Sequence, residues 1–218
     1  MLFLWGGVKI GLFNIYKKNA EIKKAYKLSK HGKYQEALEC YDNILKKDQN
    51  YTDAWYGKGV ALRKLGKLEE ALKATKVALK LDHKYVDVWI SESVILRELK
   101  MYEEALKAVN MALELNSKNF DSLNSKCLIL EDLNQYKDAI ECYDEIIKLN
   151  PRKKKSWLNK GVFLSRINNN KEALDCFEKV LELDKKHINT WYFKGITLVK
   201  LKEWEEALKM LWKSYQTR

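Results

Sequence analysis

Residues 157–177 read WLNKGVFLSRINNNKEALDCF, and their spacing of aromatic, small residue, leucine and alanine returns along the chain. The alanines Ala37, Ala71, Ala105, Ala139, Ala173 and Ala207 stand 34 residues apart, with no insertion or deletion. Sixteen residues before five of them are Trp55, Trp89, Leu123, Trp157 and Trp191; the first unit has Glu21 there. Small residues form a third series, Ala25, Gly59, Ser93, Cys127, Gly161 and Gly195. Leu28, Leu62, Leu96, Leu130, Leu164 and Leu198 form a fourth. Self-similarity at a fixed period of this kind marks an array whose units bury their apolar faces against one another.

The local pattern is helical. Trp55, Gly59 and Leu62 lie at i, i+4 and i+7, one face of a helix. Leu68, Ala71, Leu72, Thr75, Ala78 and Leu79 share a face of the next. Between them, Lys64-Leu65-Gly66-Lys67 is a turn with Gly where a helix C-terminus favours a left-handed residue. Asn134 and Asn168 take that place later and tolerate the conformation. Small Gly59 opposite Ala71 lets two backbones approach, while Trp55 and Leu62 fill the space beside them. Each unit is therefore a helical hairpin. The units are 18–51, 52–85, 86–119, 120–153, 154–187 and 188–218, read as one continuous domain after an apolar segment, 1–17. Nine Gly and one Pro in 218 residues fit long helices better than a sheet with many tight turns. With 46% apolar and 33% charged residues, wholesale disorder is excluded.

These series resemble the tetratricopeptide repeat family, whose pattern is Trp-x2-Leu-Gly-x2-Tyr, then Ala-x3-Phe, then Pro. Trp157, Gly161, Leu164, Ala173 and Phe177 follow it, as do Trp191, Gly195, Leu198 and Ala207, and the resemblance covers residues 18–218. Two departures stand out. Lys58, Lys126, Lys160 and Lys194 replace the Leu before the small residue. Only Pro151 keeps the closing Pro; Gln49, His83, Ser117 and Lys185 replace it, which is expected to alter the turns between units. The resemblance implies an all-α, right-handed α-solenoid of six helix-turn-helix repeats. It also implies a concave groove lined by the first helices, and the expected function is a non-enzymatic, cytoplasmic scaffold that binds a protein or peptide there.

Four rows are expected in that groove. The first is Asp53, Asp87, Asp121, Lys155 and Asn189; the second Tyr56, Ile90, Asn124, Leu158 and Tyr192. The third is Val60, Val94, Leu128, Val162 and Ile196; the fourth Arg63, Arg97, Glu131, Ser165 and Val199. The three Asp also complement the dipole at their helix starts. Arg63 and Arg97 are expected to pair with Asp87 and Asp121, or to grip a ligand carboxylate. Some family members clamp a chaperone's C-terminal carboxylate with Lys and Asn. The corresponding set here, Tyr56, Val60, Ser91, Asp121 and Ser125, holds neither, so the expected ligand has apolar anchors and mixed charge.

No catalytic, cofactor or metal constellation emerges. Gly59 to Gly66-Lys67 lacks the spacing and hydroxyl of a phosphate loop. His31, His83 and His187 fall in or near turns, far apart in sequence. Cys40, Cys127, Cys142 and Cys176 form no CxxC, and are expected to be reduced, packed thiols of an intracellular protein.

The formal charge of +11 suggests nucleic acid as an alternative partner, but only five of 41 cations are Arg and the fourth unit nets −2. A continuous basic stripe, which phosphate binding favours, is missing. Nucleic acid is therefore not the expected partner. Residues 1–16, MLFLWGGVKIGLFNIY, are too short to span a membrane and lack signal-peptide features. They are read as a cap on the first repeat or a weak anchor, the latter allowing a membrane-associated assembly factor. No polar capping helix follows the sixth unit, so Leu208, Leu211, Trp212 and Tyr215 are expected to be partly uncovered and available for self-association.

Overall fold

The computed structural model of the protein describes residues 20–216, so the segment read as cap or anchor lies outside the described residues. Helix α1 is described over residues 20–30. It is followed by α2 (Tyr34–Lys47), α3 (Thr52–Lys64), α4 (Leu68–Leu81), α5 (Val86–Glu98), α6 (Tyr102–Leu115), α7 (Phe120–Asp132), α8 (Tyr136–Leu149), α9 (Lys154–Arg166), α10 (Asn170–Leu183), α11 (Ile188–Lys200) and α12 (Trp204–Gln216). They run as consecutive helix-turn-helix pairs, and the described residues contain no strand. The first helices of pairs two to six begin at 52, 86, 120, 154 and 188, the unit starts read from sequence. The chain divides into two compact units between Ser125 and Lys126.

The turn within each pair follows the expectation. Gly32, Gly66, Lys100, Asn134, Asn168 and Lys202 all have φ between 58° and 77°, one per repeat. The turn between pairs is set differently from the closing Pro of the family pattern. The indole N–H of Trp55 donates to the Gln49 carbonyl (2.7 Å), that of Trp89 to His83 (2.8 Å), that of Trp157 to Pro151 (2.8 Å) and that of Trp191 to Lys185 (3.1 Å). One hydrogen bond, reaching the same distance back along the chain, thus recurs whether the acceptor is Pro, Gln, His or Lys. In the first repeat Glu21, in place of Trp, accepts from Lys47 Nζ at 2.8 Å.

Small residues of the first helices sit under large side chains of the second. A Cβ on Gly161 would come 2.7 Å from the Phe177 ring, and one on Gly195 2.7 Å from Leu211 Cγ. The side chains so accommodated are core: Phe177, Leu164 and Ala173 are fully buried, as are Ala37, Ala71 and Ile95 in the N-terminal unit. Leu211 is accordingly packed, while Leu208, Trp212 and Tyr215 are 71%, 58% and 74% exposed, joined by Trp204 at 61%. Leu211 is thus only partly uncovered, less so than the other three.

Three of the lysines replacing the family's Leu pair with carboxylates. Lys58 pairs with Asp42 (2.7 Å), Lys160 with Asp144 (2.6 Å) and Lys194 with Glu178 (2.8 Å). Each reaches back to a carboxylate on the second helix of the preceding repeat. At the same position in α5 the signs are exchanged: the acid is Glu92, and the base at the matching place on α4 is Lys76. Glu92 is 6% exposed and its Oε2 has no hydrogen-bond partner. Burial raises its pKa above the usual carboxylate range, an effect Lys76 partly offsets. Below about pH 4 the carboxyl is protonated in folded and unfolded chains alike. As pH rises the unfolded group ionises first, so this site loses stability until the folded group also ionises. Glu92→Gln is therefore expected to match the native protein in acid and to exceed it by about 1 kcal/mol at neutral pH. Urea denaturation at the two pH values checks this.

One expectation is overturned outright. Cys127 and Cys142 are joined in a disulfide, with Cα atoms 5.6 Å apart, leaving Cys40 and Cys176 as free thiols. The reason lies in the repeat. The small-residue row holding Cys127 on α7 faces the row that follows the alanine by one helical turn, holding Cys142 on α8. The same rows bring Gly161 against Cys176, whose Cβ lies 3.1 Å from where a Cβ on Gly161 would stand. Only the fourth repeat has cysteine in both rows. The intracellular location inferred from reduced thiols loses its premise. No helix among the described residues is long and apolar enough to cross a membrane.

Candidate interaction groove

The groove rows occupy one face of the first helices. Asp53, Asp87, Asp121 and Lys155 are exposed near the helix starts. Tyr56, Ile90, Asn124 and Leu158 are half-buried, as are Val60, Val94, Leu128 and Val162; Tyr192 is exposed. In the N-terminal unit, Asp53, Tyr56, Val60 and Asp87 line a single cavity of about 690 Å³. In the C-terminal unit, Leu158 and Val162 pack on the cluster of Leu164, Ala173, Cys176 and Phe177, and the Tyr192 ring stands edge-on to Phe193 at 5.5 Å.

The fourth row largely serves the scaffold. Arg63 pairs with Glu98 at 2.6 Å and not with Asp87, which corrects the expected pairing. Glu131 accepts from Arg166 and from the buried Tyr143 hydroxyl. The Ser165 carbonyl accepts from Lys200 Nζ at 2.5 Å. The links from Arg63, Arg166 and Lys200 each join the end of one first helix to the end of the neighbouring one.

The cavity also holds residues that the four rows omit. Ile22, Tyr26 and Ser29 come from α1, Tyr41 from α2, and Tyr85 from the residue before α5. The rows find the first three when carried back by one repeat from Tyr56, Val60 and Arg63. Tyr41 lies flat on α3: a Cβ on Gly57 would fall 2.3 Å from its ring, so only glycine admits it. Its hydroxyl is 3.4 Å from Ser29 Oγ. The Tyr56 and Tyr85 rings are 5.5 Å apart at 45°, and the Tyr85 hydroxyl donates to Asp53 Oδ1 at 3.0 Å. Burial pushes all three phenols up in pKa; the nearby Asp87 carboxylate adds to this at Tyr56, and the hydrogen bond to Asp53 at Tyr85. The walls are therefore neutral hydroxyl-bearing rings, and the charges are the two carboxylates and Lys23 at the lip.

A family model described as tetratricopeptide repeat matches residues 22–86. Another, described as anaphase-promoting complex, cyclosome, subunit 3, matches residues 132–214. No curated protein matches the chain. Among solved structures the chain is similar to YrrB, described as a TPR protein with an unusual peptide-binding site. Identity is 24% over 83% of this chain and 93% of that one, with a TM-score of 0.60. It is also similar to pilF of Pseudomonas aeruginosa, at 16% identity over 88% of each chain and a TM-score of 0.74. A tetratricopeptide repeat protein of Parabacteroides merdae shares 18% identity over 92% of this chain and 78% of that one, with a TM-score of 0.75. At these identities the structural likeness speaks for the fold. The unbroken 34-residue period, the helix pairs it lays down and the matching repeat model together make the chain a tetratricopeptide-repeat protein.

Proposed function

We propose that the protein is a non-enzymatic scaffold that binds a peptide or protein segment along the inner rows of its first helices. The observation that carries this reading is the N-terminal cavity. Four residues of the groove rows that the family resemblance implies, Asp53, Tyr56, Val60 and Asp87, line an open, largely aromatic hollow. Its volume lies within the range of ordinary ligand sites. The lysine row counts against nucleic acid as the partner, since Lys58, Lys160 and Lys194 are engaged by carboxylates. Affinity capture with Val60→Glu beside the native chain tests the reading. Val60 is half-buried at the cavity, so the variant is expected to keep its melting temperature and lose the captured protein. Capture of the same protein by both would contradict the groove.

The exposed Trp204, Leu208, Trp212 and Tyr215 on α12 support a second reading, self-association through that face. A native mass of one chain at high concentration would count against it.

A further inference from the structure

We propose that the N-terminal cavity is a receptor for a cationic side chain, an arginine or lysine on the bound segment. The inference rests on the groove reading above and names the chemistry of its occupant.

The cavity combines two things a cation needs. The first is aromatic surface. Tyr26, Tyr56 and Tyr85 offer ring surface over the buried Tyr41, and a ring face attracts a cation most strongly where water is partly excluded. The second is negative charge at fixed places. Asp53 and Asp87 stand one repeat apart in the first turns of α3 and α5. The Tyr85 hydroxyl fixes Asp53 Oδ1 at 3.0 Å, which orients the carboxylate while leaving Oδ2 to a ligand. An acidic segment would meet both carboxylates with only Lys23 at the lip to oppose them, because Arg63 is already held by Glu98. A purely apolar side chain would bury carboxylates without a partner, which is costly. Only a cation answers both walls and rim. Lys23, exposed at the lip on α1, is the one cation among the described lining residues, and competes with the ligand for the carboxylates.

The test uses the full chain and four capped decapeptides of alanine and serine that differ only in a central Arg, Lys, Glu or Leu. Binding is followed by amide chemical shifts up to millimolar peptide. The Arg and Lys peptides are expected to bind about tenfold tighter than the Glu and Leu peptides. Asp53→Asn with Asp87→Asn should abolish that preference without lowering the melting temperature, and Lys23→Ala should strengthen it. Preference for Glu or Leu, a preference for Arg that survives both Asn substitutions, or absence of binding by the Arg peptide would overturn the proposal. Groove shifts with the Leu peptide preferred would sink the cation receptor alone. Shifts confined to α12 or to the outer faces of the second helices would sink the groove reading as well.

Discussion

Phe177→Ala is expected to cost about 3–5 kcal/mol, the range for truncating a fully buried aromatic ring. The ring has 0% exposure and stacks on Phe193 with centroids 6.4 Å apart. It also occupies the space that Gly161 leaves by lacking a Cβ. Gly161 has no side chain with which to fill the space the ring would leave. Stability in a repeat array is a sum of local terms, so the damage should be local. Hydrogen exchange should show α9, α10 and α11 losing protection while α3 and α4 keep theirs. A loss below about 1 kcal/mol in urea denaturation would mean that the ring is not the keystone its burial indicates.

Reduction of Cys127–Cys142 should cost about 3 kcal/mol, the value for constraining a loop of this length in the unfolded chain. The two residues are 15 apart and tie α7 to α8 within one hairpin. The oxidised protein, unfolded without reductant, should titrate two thiols of its four cysteines. In the folded protein Cys176 should react slowly, because burial pushes its pKa up to about 11. The double variant Cys127→Ala, Cys142→Ala should have the same urea midpoint with and without reductant, whereas the native chain should not. Four reactive thiols in the oxidised protein would refute the bond.

Much of this architecture is legible in the sequence because it repeats. Six alanines in register locate every hairpin, and Gly66, Asn134 and Asn168 announce the left-handed turn. Pairings between rows are harder to read, since a period says which residues are equivalent and not which rows face each other. Cys127 and Cys142 each sit in a recognisable row, yet their bond depends on the two rows meeting. The lysine row looked like a departure from a pattern until its carboxylates, on the preceding helix, supplied the reason. The lost prolines looked like altered turns, but the tryptophan indoles bind the carbonyl at that position whatever its side chain. At the groove, Asp53, Tyr56, Val60 and Asp87 of the rows implied by the resemblance line one cavity. Tyr26 lies one repeat before the rows begin, and Tyr41 belongs to a second helix, α2, which rows of first helices do not reach. For Arg63 the sequence offers several carboxylates, and the partner is Glu98 rather than Asp87.

Whether the inner rows of the first helices are the binding surface is read by amide chemical-shift mapping on the full chain, titrated with the captured partner's bound segment. Perturbations are expected at Asp53, Tyr56, Val60, Tyr85 and Asp87, with the outer faces of α4 and α6 silent. Perturbations centred on Trp204, Leu208, Trp212 and Tyr215, with the cavity unmoved, would contradict this reading.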